Sequence, residues 1–309
     1  MGLFDKFRKG KAGASSQNPA AGNRQVSAYA TPKEEKFWSL YEASLRQKDS
    51  GRLKMALWNR GSALDYCINE GYKGIAYHNL AILCMHHLGK GQDAADYARK
   101  SLACGEEFRR CSQEHLAEIP FGAHFESLQT AAMTAGSYDE ALEYLKQGEE
   151  LYGGNFATNR KGLESFRKEN PRFADYQRQT SLLYYSRVSQ ELDQGDYAPA
   201  MSILQLMLDR AEAPEYDLGY EEYVDILDDY GTITIMYLMK KARAAGMSQQ
   251  DFAREMVFIA DEPLRRIADF MPDCEPGDKQ KFINIAGAFS NMPGIRGRDS
   301  FEPLEKMLF

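Results

Sequence analysis

From Pro32 to the end of this chain, apolar residues recur at spacings of three and four, and the alternating pattern of a strand is almost absent. That periodicity places one apolar stripe along each of a series of helices and predicts an all-α fold. Gly, Pro or Asp/Ser clusters break the pattern at helix-length intervals. Helical runs are expected near 34–48, 52–69, 74–88, 92–104, 107–118, 122–135, 138–151, 156–169, 173–194, 197–212 and 219–245. The β-branched stretch GTITIMYL, 231–238, runs into a basic helix end before Gly246. It reads as a buried helix, since one isolated strand has nothing to pair with. Thr31-Pro-Lys-Glu34 carries the hydroxyl, first-turn proline and acid of a reciprocal helix cap, and Ser248-Gln-Gln-Asp251 carries a weaker version. Trp58 is expected to pack with Phe37, Trp38, Tyr41 and Leu57 in the first helix pair. Pro263 is expected to kink or restart the helix that holds it.

Three stretches share a finer grammar. In AGSYDEALEYL, 135–145, Gly136 ends one helix, Tyr138 follows, and Ala141 stands where a second helix crosses the first. Leu128 and Ala132 form the stripe upstream. Gly195, Tyr197 and Ala200 repeat the order, with Tyr184 and Val188 upstream, and so do Gly89, Ala94, Ala95 and Tyr97, with Tyr77, Leu80, Ala81 and Cys84 upstream. Small residues let antiparallel helices approach, glycine closes the turn, and the aromatic fills the wedge between hairpins.

These stretches, 122–151, 74–103 and 181–210, resemble tetratricopeptide repeats. They depart from that family in spacing: Ala94 to Ala141 is 47 residues and Ala141 to Ala200 is 59, where about 34 is usual. Extra helices, 107–118 and 156–169, would sit between the copies, giving an irregular helical-hairpin solenoid. The organisation expected is a basic segment at 1–11, a flexible linker at 12–31, the repeat array at 32–213 and a C-terminal helical subdomain at 214–309. The resemblance implies partner binding along the concave side of the array. By position that side holds His78, Ile82 and Met85 from one copy, Glu126, Thr130 and Met133 from the next, and Tyr185, Ser189 and Leu192 from the third. The family's clamp for a C-terminal carboxylate keeps only Asn79 here, and Glu126 would repel such a ligand, so a chaperone-tail receptor is not expected.

The chain's net charge of −7 argues against a general nucleic-acid binder. Residues 1–32 carry five cations against Asp5, a balance of +4, which leaves −11 for the rest. In MGLFDKFRKGK, a helix would place Leu3, Phe4 and Phe7 on one side and Lys6, Arg8, Lys9 and Lys11 on the other. Such a segment on the Ala/Gly/Ser/Asn/Pro linker can lie weakly on an anionic membrane. Its alternatives are a peptide ligand or a solubilising tail. The start resembles those of bacterial cytoplasmic proteins. Lys6 stands where a myristoylation signal needs Ser or Thr. No signal peptide or spanning helix is expected, and five scattered cysteines suit a reducing cytoplasm.

No catalytic motif is present: no phosphate-cradling Gly loop, no Gly-x-Ser-x-Gly, no His-Glu-x-x-His. No cofactor is expected. The expectation is a non-enzymatic cytoplasmic scaffold, peripheral at the inner membrane face if its N-terminus engages lipid. The alternative is an all-helical metal protein or enzyme built on Cys111, His115 and His124, or on the carboxylates of 217–229, which include Asp217, Glu221, Glu222, Asp225, Asp228 and Asp229.

Overall fold

The computed structural model describes residues 31–115, 122–212, 218–244 and 248–308, apart from the side chains of 122–123, 181–186 and 244. All secondary structure in these residues is helical. The helices are α1 (Pro32–Asp49), α2 (Leu53–Ala63), α3 (Glu70–Leu83), α4 (Gly91–Leu102), α5 (Gly105–His115), α6 (Gly122–Met133) and α7 (Tyr138–Tyr152). They continue with α8 (Asn155–Glu169), α9 (Phe173–Asp193), α10 (Tyr197–Ala211), α11 (Tyr220–Ala244), α12 (Gln249–Phe270), α13 (Pro276–Ser290) and α14 (Glu302–Leu308).

Local chemistry sets most of these boundaries. Thr31 accepts from the Glu34 amide at 3.2 Å, with Pro32 in the first turn. The Glu34 side chain accepts from the buried hydroxyl of Tyr72. At the weaker box, Asp251 N donates to Ser248 Oγ at 3.1 Å, and Oγ donates to the Asp251 carboxylate at 2.9 Å. Helix α3 starts at Glu70, four residues before the expected position, because Asn69 caps it by accepting from Tyr72 N. The run expected over 52–69 ends in a 3₁₀ turn, Leu64–Tyr66. Residues 231–238 lie inside α11, as a helix. Pro263 neither ends nor restarts α12. The ring has no N–H to offer Ile259, but Ile259, Ala260, Leu264 and Ile267 are all buried and hold both sides of it in register.

The turn glycines divide. Gly89 and Gly195 adopt φ of 69° and 72°, the left-handed region that glycine enters without steric cost. Gly136 does not. Its amide donates to the Glu140 carboxylate while Ser137 accepts from Glu140 N, so a capping box makes this turn. Tyr138 fills the wedge as expected: it meets the Phe173 ring edge-on at 5.0 Å and donates to Asn170 O at 2.7 Å.

Consecutive helices pack as antiparallel neighbours through α1–α2, α3–α4, α6–α7 and α9–α10, with α5 against α3 and α8 against α7. Three apolar clusters result. One joins Phe37, Trp38, Tyr72, Ile75 and Phe108, and a second joins Phe125, Leu128, Tyr138, Leu145 and Phe156. The largest runs from Leu53, Leu83 and Ala94 through α10 to Phe289 and Phe301, so it continues across residue 213. The C-terminal α14 docks on its own chain, with Phe301 and Leu304 buried against this core.

The feature that most shapes the molecule is the return of α10 to the α3–α4 hairpin. It packs against α4 and against a π-helical turn, Cys84–Leu88, that extends α3. A Cβ on Gly91 would stand 2.2 Å from Ser202 O, so only glycine permits this crossing. Ser202 Oγ donates to Met85 O at 2.8 Å, and Arg210 donates to Met133 O. Behind α10, α12 reaches the N-terminal helices: the Glu255 carboxylate accepts from Lys54 N with both oxygens at 3.1 Å, capping α2.

Candidate functional site

The residues expected on the concave side come from α3, its π turn, α6 and α9, and the structure treats them unequally. Ile82, Glu126 and Thr130 are half-buried and Ser189 is exposed. Met85, Met133 and Leu192 are half-buried but packed onto the large core, because α10 runs beside the C-terminal ends of α3 and α6. His78 is a correction to the expected surface. It is 2% exposed, between α3, α5 and α6, and presents no atom to a partner. The side chain of Tyr185 lies outside the described residues, as do Leu3, Phe4, Lys6, Phe7, Arg8, Lys9 and Lys11.

His78 belongs to a buried polar row. Its Nδ1 stands 3.2 Å from Ser127 Oγ, Ser101 Oγ is 2.8 Å from Ser127 Oγ, and Nε2 faces the Glu126 carboxylate at 3.7 Å. Ser101 Oγ also lies 2.7 Å from Ala98 O, so its single proton is shared between that carbonyl and Ser127 Oγ; with Ser127 donating to Nδ1, Nε2–H points at Glu126. Burial pushes the His78 pKa down to about 3, with Arg60, His86 and His124 adding repulsion, so the ring is neutral at physiological pH. The order hydroxyl, imidazole, carboxylate is that of a nucleophilic triad. Ser127 is only 1% exposed, however, so a substrate carbonyl would reach Oγ only if α6 separated from α4. In the folded chain the row pins α3, α4 and α6 together.

The other reactive groups are held similarly. Burial pushes the thiols of Cys67 and Cys84 up to about 12 and that of Cys104 to about 11, which leaves them protonated and poorly nucleophilic. Cys111, His115 and His124 do not assemble. Cys111 Sγ occupies the space a Cβ on Gly71 would need, His115 meets Trp38 tilted and Tyr72 edge-on, and His124 packs between Phe108 and Tyr152. Two acids of α11 find protein partners: Asp225 lies 3.8 Å from Lys281, and Glu222 lies 3.9 Å from Arg178. Asp217 is outside the described residues. Among the described residues, no three His, Cys, Asp or Glu side chains converge on a space fit for a metal ion.

Two exposed apolar surfaces went unforeseen. Trp58 is 62% exposed on the outer face of α2, beside Met55; the expectation that it packs is wrong, because Leu53, Ala56 and Ala63 supply that helix's buried stripe. On α11, Met236 and Met239 are 43% and 47% exposed. With Tyr197, Lys240 and Arg243 they line an open cleft of about 510 Å³. Helix α11 is apolar on several sides in this region, so periodicity alone does not say which side faces water. Among the described residues no helix is long and apolar enough to cross a membrane.

No protein-family model matches the chain, and neither a curated protein nor a solved structure is significantly similar to it.

Proposed function

We propose that the chain is a helical-repeat adaptor of the tetratricopeptide kind, which binds a protein or peptide partner and carries out no reaction of its own. The observation that carries this reading is an inversion of what catalysis needs. The side chains capable of chemistry, His78, Ser127, His124 and four of the five cysteines, are buried in packing or hydrogen-bonding duties, while Trp58, Met236 and Met239 stand in solvent. Large exposed apolar side chains on rigid helices are the usual anchors of protein recognition. The complete burial of Ala94, Ala141 and Ala200, one in each hairpin, supports the repeat reading.

On this reading the accessible strip Ile82, Glu126, Thr130 and Ser189 is what the fold-back of α10 leaves of the concave side. It suits an extended segment that offers a donor to Glu126 and an apolar group to Ile82. The basic N-terminus, residues 1–11, would add weak attraction to an anionic membrane and keep the adaptor at the cytoplasmic face. The test is quantitative capture from native lysate by the full chain and by an Ile82→Arg/Thr130→Arg variant shown to be folded. Proteins enriched by the first and lost by the second support the proposal. An identical recovery from both sinks the strip as the binding surface, and the absence of any enriched protein sinks the adaptor.

A further inference from the structure

Helix α2 carries one ridge that faces solvent. Taking about 100° per residue, Lys54, Met55, Trp58, Gly61, Ser62 and Asp65 fall within an arc of about 120°. The 3₁₀ turn that follows the helix, at about 120° per residue, keeps Asp65 on that side. Lys54, Met55, Trp58 and Asp65 are exposed, and Gly61 and Ser62 are half-buried. The buried Leu53, Ala56, Arg60 and Ala63 point the opposite way. The ridge is therefore no remnant of the core. Between its ends it carries no charge, and its middle is apolar: Met55 and Trp58 stand one turn apart, 46% and 62% exposed.

The two halves of this ridge complement each other. Lys54 and Asp65 stand equally far from a midpoint between residues 59 and 60, and so do Trp58 and Gly61. The outer pair joins opposite charges. The inner pair joins the largest side chain to the absence of one. A Cβ on Gly61 would meet nothing within 4 Å, so the space above this residue is open. Among the described residues neither Lys54 nor Asp65 forms an ion pair; the Lys54 ammonium lies 5.8 Å from the Phe258 ring centre.

A second copy of α2, antiparallel to the first and related to it by a two-fold axis through that midpoint, uses every one of these features. It sets Trp58 over Gly61 of the other chain, Lys54 opposite its Asp65, and Met55 beside its Ser62. Each contact occurs twice, as an isologous interface requires. An unrelated partner would need neither the equal spacing of opposite charges nor a glycine at the mirror position of the tryptophan. We infer that this protein self-associates through α2, as an antiparallel pair of helices from two copies centred between Trp58 and Gly61. This ridge shares no residue with the strip proposed for a partner, so either can fail alone.

The test is sedimentation equilibrium of the full chain over about 1–200 μM, a range matched to a weak single-helix interface. Trp58→Ala removes the anchor, and Gly61→Gln fills the space it enters without touching the folded monomer. Each should weaken dimerisation about tenfold or more. Within one molecule Lys54 and Asp65 are about 17 Å apart along the helix, so they can pair only between copies. Lys54→Glu and Asp65→Lys alone should each weaken the dimer about fivefold or more, and the exchange Lys54→Glu/Asp65→Lys should restore it to within about threefold. Circular dichroism and melting confirm that each variant is folded. A wild-type chain that stays monomeric throughout overturns the inference. So does a dimer indifferent to Gly61→Gln, or one that the charge exchange fails to restore. A monomer whose tryptophan emission shifts to the blue on adding phosphatidylglycerol vesicles, and does so only with Trp58 present, gives the ridge to a membrane and overturns it equally.

Discussion

Gly91→Ala probes the fold-back of α10 with one methyl group. At an unobstructed helical glycine this change is favourable by about 0.5–1 kcal/mol, because alanine loses less chain entropy on folding. Here the new Cβ would lie 2.2 Å from Ser202 O and 2.8 Å from Leu206 Cγ. The nearer atom is main chain, so no rotamer change relieves the contact. Helix α10 must shift, against the Ser202–Met85 hydrogen bond and the burial of Met201, Leu204 and Leu208. Overpacking of this kind costs about 1–3 kcal/mol, and loosening even one buried leucine adds about 1.5 kcal/mol or more. The net expectation is a loss of about 2–4 kcal/mol. For a chain of this size that lowers Tm by about 3–6 °C. Gly162→Ala in α8 is the control. Nothing lies within 4 Å of its Cβ position, so it should gain about 0.5–1 kcal/mol. Urea denaturation of both variants reads the difference. Adding Leu206→Ala should not rescue Gly91→Ala, since the carbonyl clash remains. A Gly91→Ala chain as stable as the wild type would refute the close crossing of α4 and α10.

Other expectations follow from single contacts. Glu255→Ala removes the acceptor at the start of α2 and should cost about 1–3 kcal/mol in urea titrations. Burial raises the Glu255 pKa, so the charge itself is not favoured there, and Glu255→Gln should recover most of the loss. Tyr138→Phe deletes the bond to Asn170 O and should lower stability by about 1 kcal/mol, seen as a lower denaturation midpoint at unchanged slope. His78 and His124 are pushed down to about 3 and about 4 by burial, below the ordinary histidine value of 6.5. The unfolded chain therefore binds protons that the folded chain refuses as pH falls below about 6.5. Each ring should remove up to about 1.4 kcal/mol of stability per pH unit between there and its folded pKa. Melting at pH 7, 6 and 5 should show the decline, and His78→Gln should make it shallower; an unchanged slope would refute a neutral, buried His78.

The helices were legible because their signals are local. Thr31-Pro32, Ser137 with Glu140, and Ser248 with Asp251 announce starts through groups three residues apart, and the apolar spacing carries the rest. What lay beyond the sequence was long-range. Gly91 looks like one more turn glycine beside Gly89, and nothing nearby reveals that Ser202 needs its missing Cβ. His78 and Ile82 share a helical face by spacing, but α5 and α6 close over the first and leave the second half-open. Trp58 stands in solvent because Ala56 and Ala63 fill the buried stripe of α2. Glu34 also accepts from Tyr72, a partner 38 residues away that no local motif encodes.

The central structural claim is that α10 folds back on the α3–α4 hairpin. The most direct measurement places a photoreactive benzophenone side chain at Gln92, which is exposed at the start of α4 while its backbone amide lies 3.4 Å from Gln205 Oε1. Irradiation of the dilute full chain followed by peptide mapping should show insertion into the 197–211 segment. Insertion confined to α3, α4 and α6, with none in α10, would contradict the fold-back.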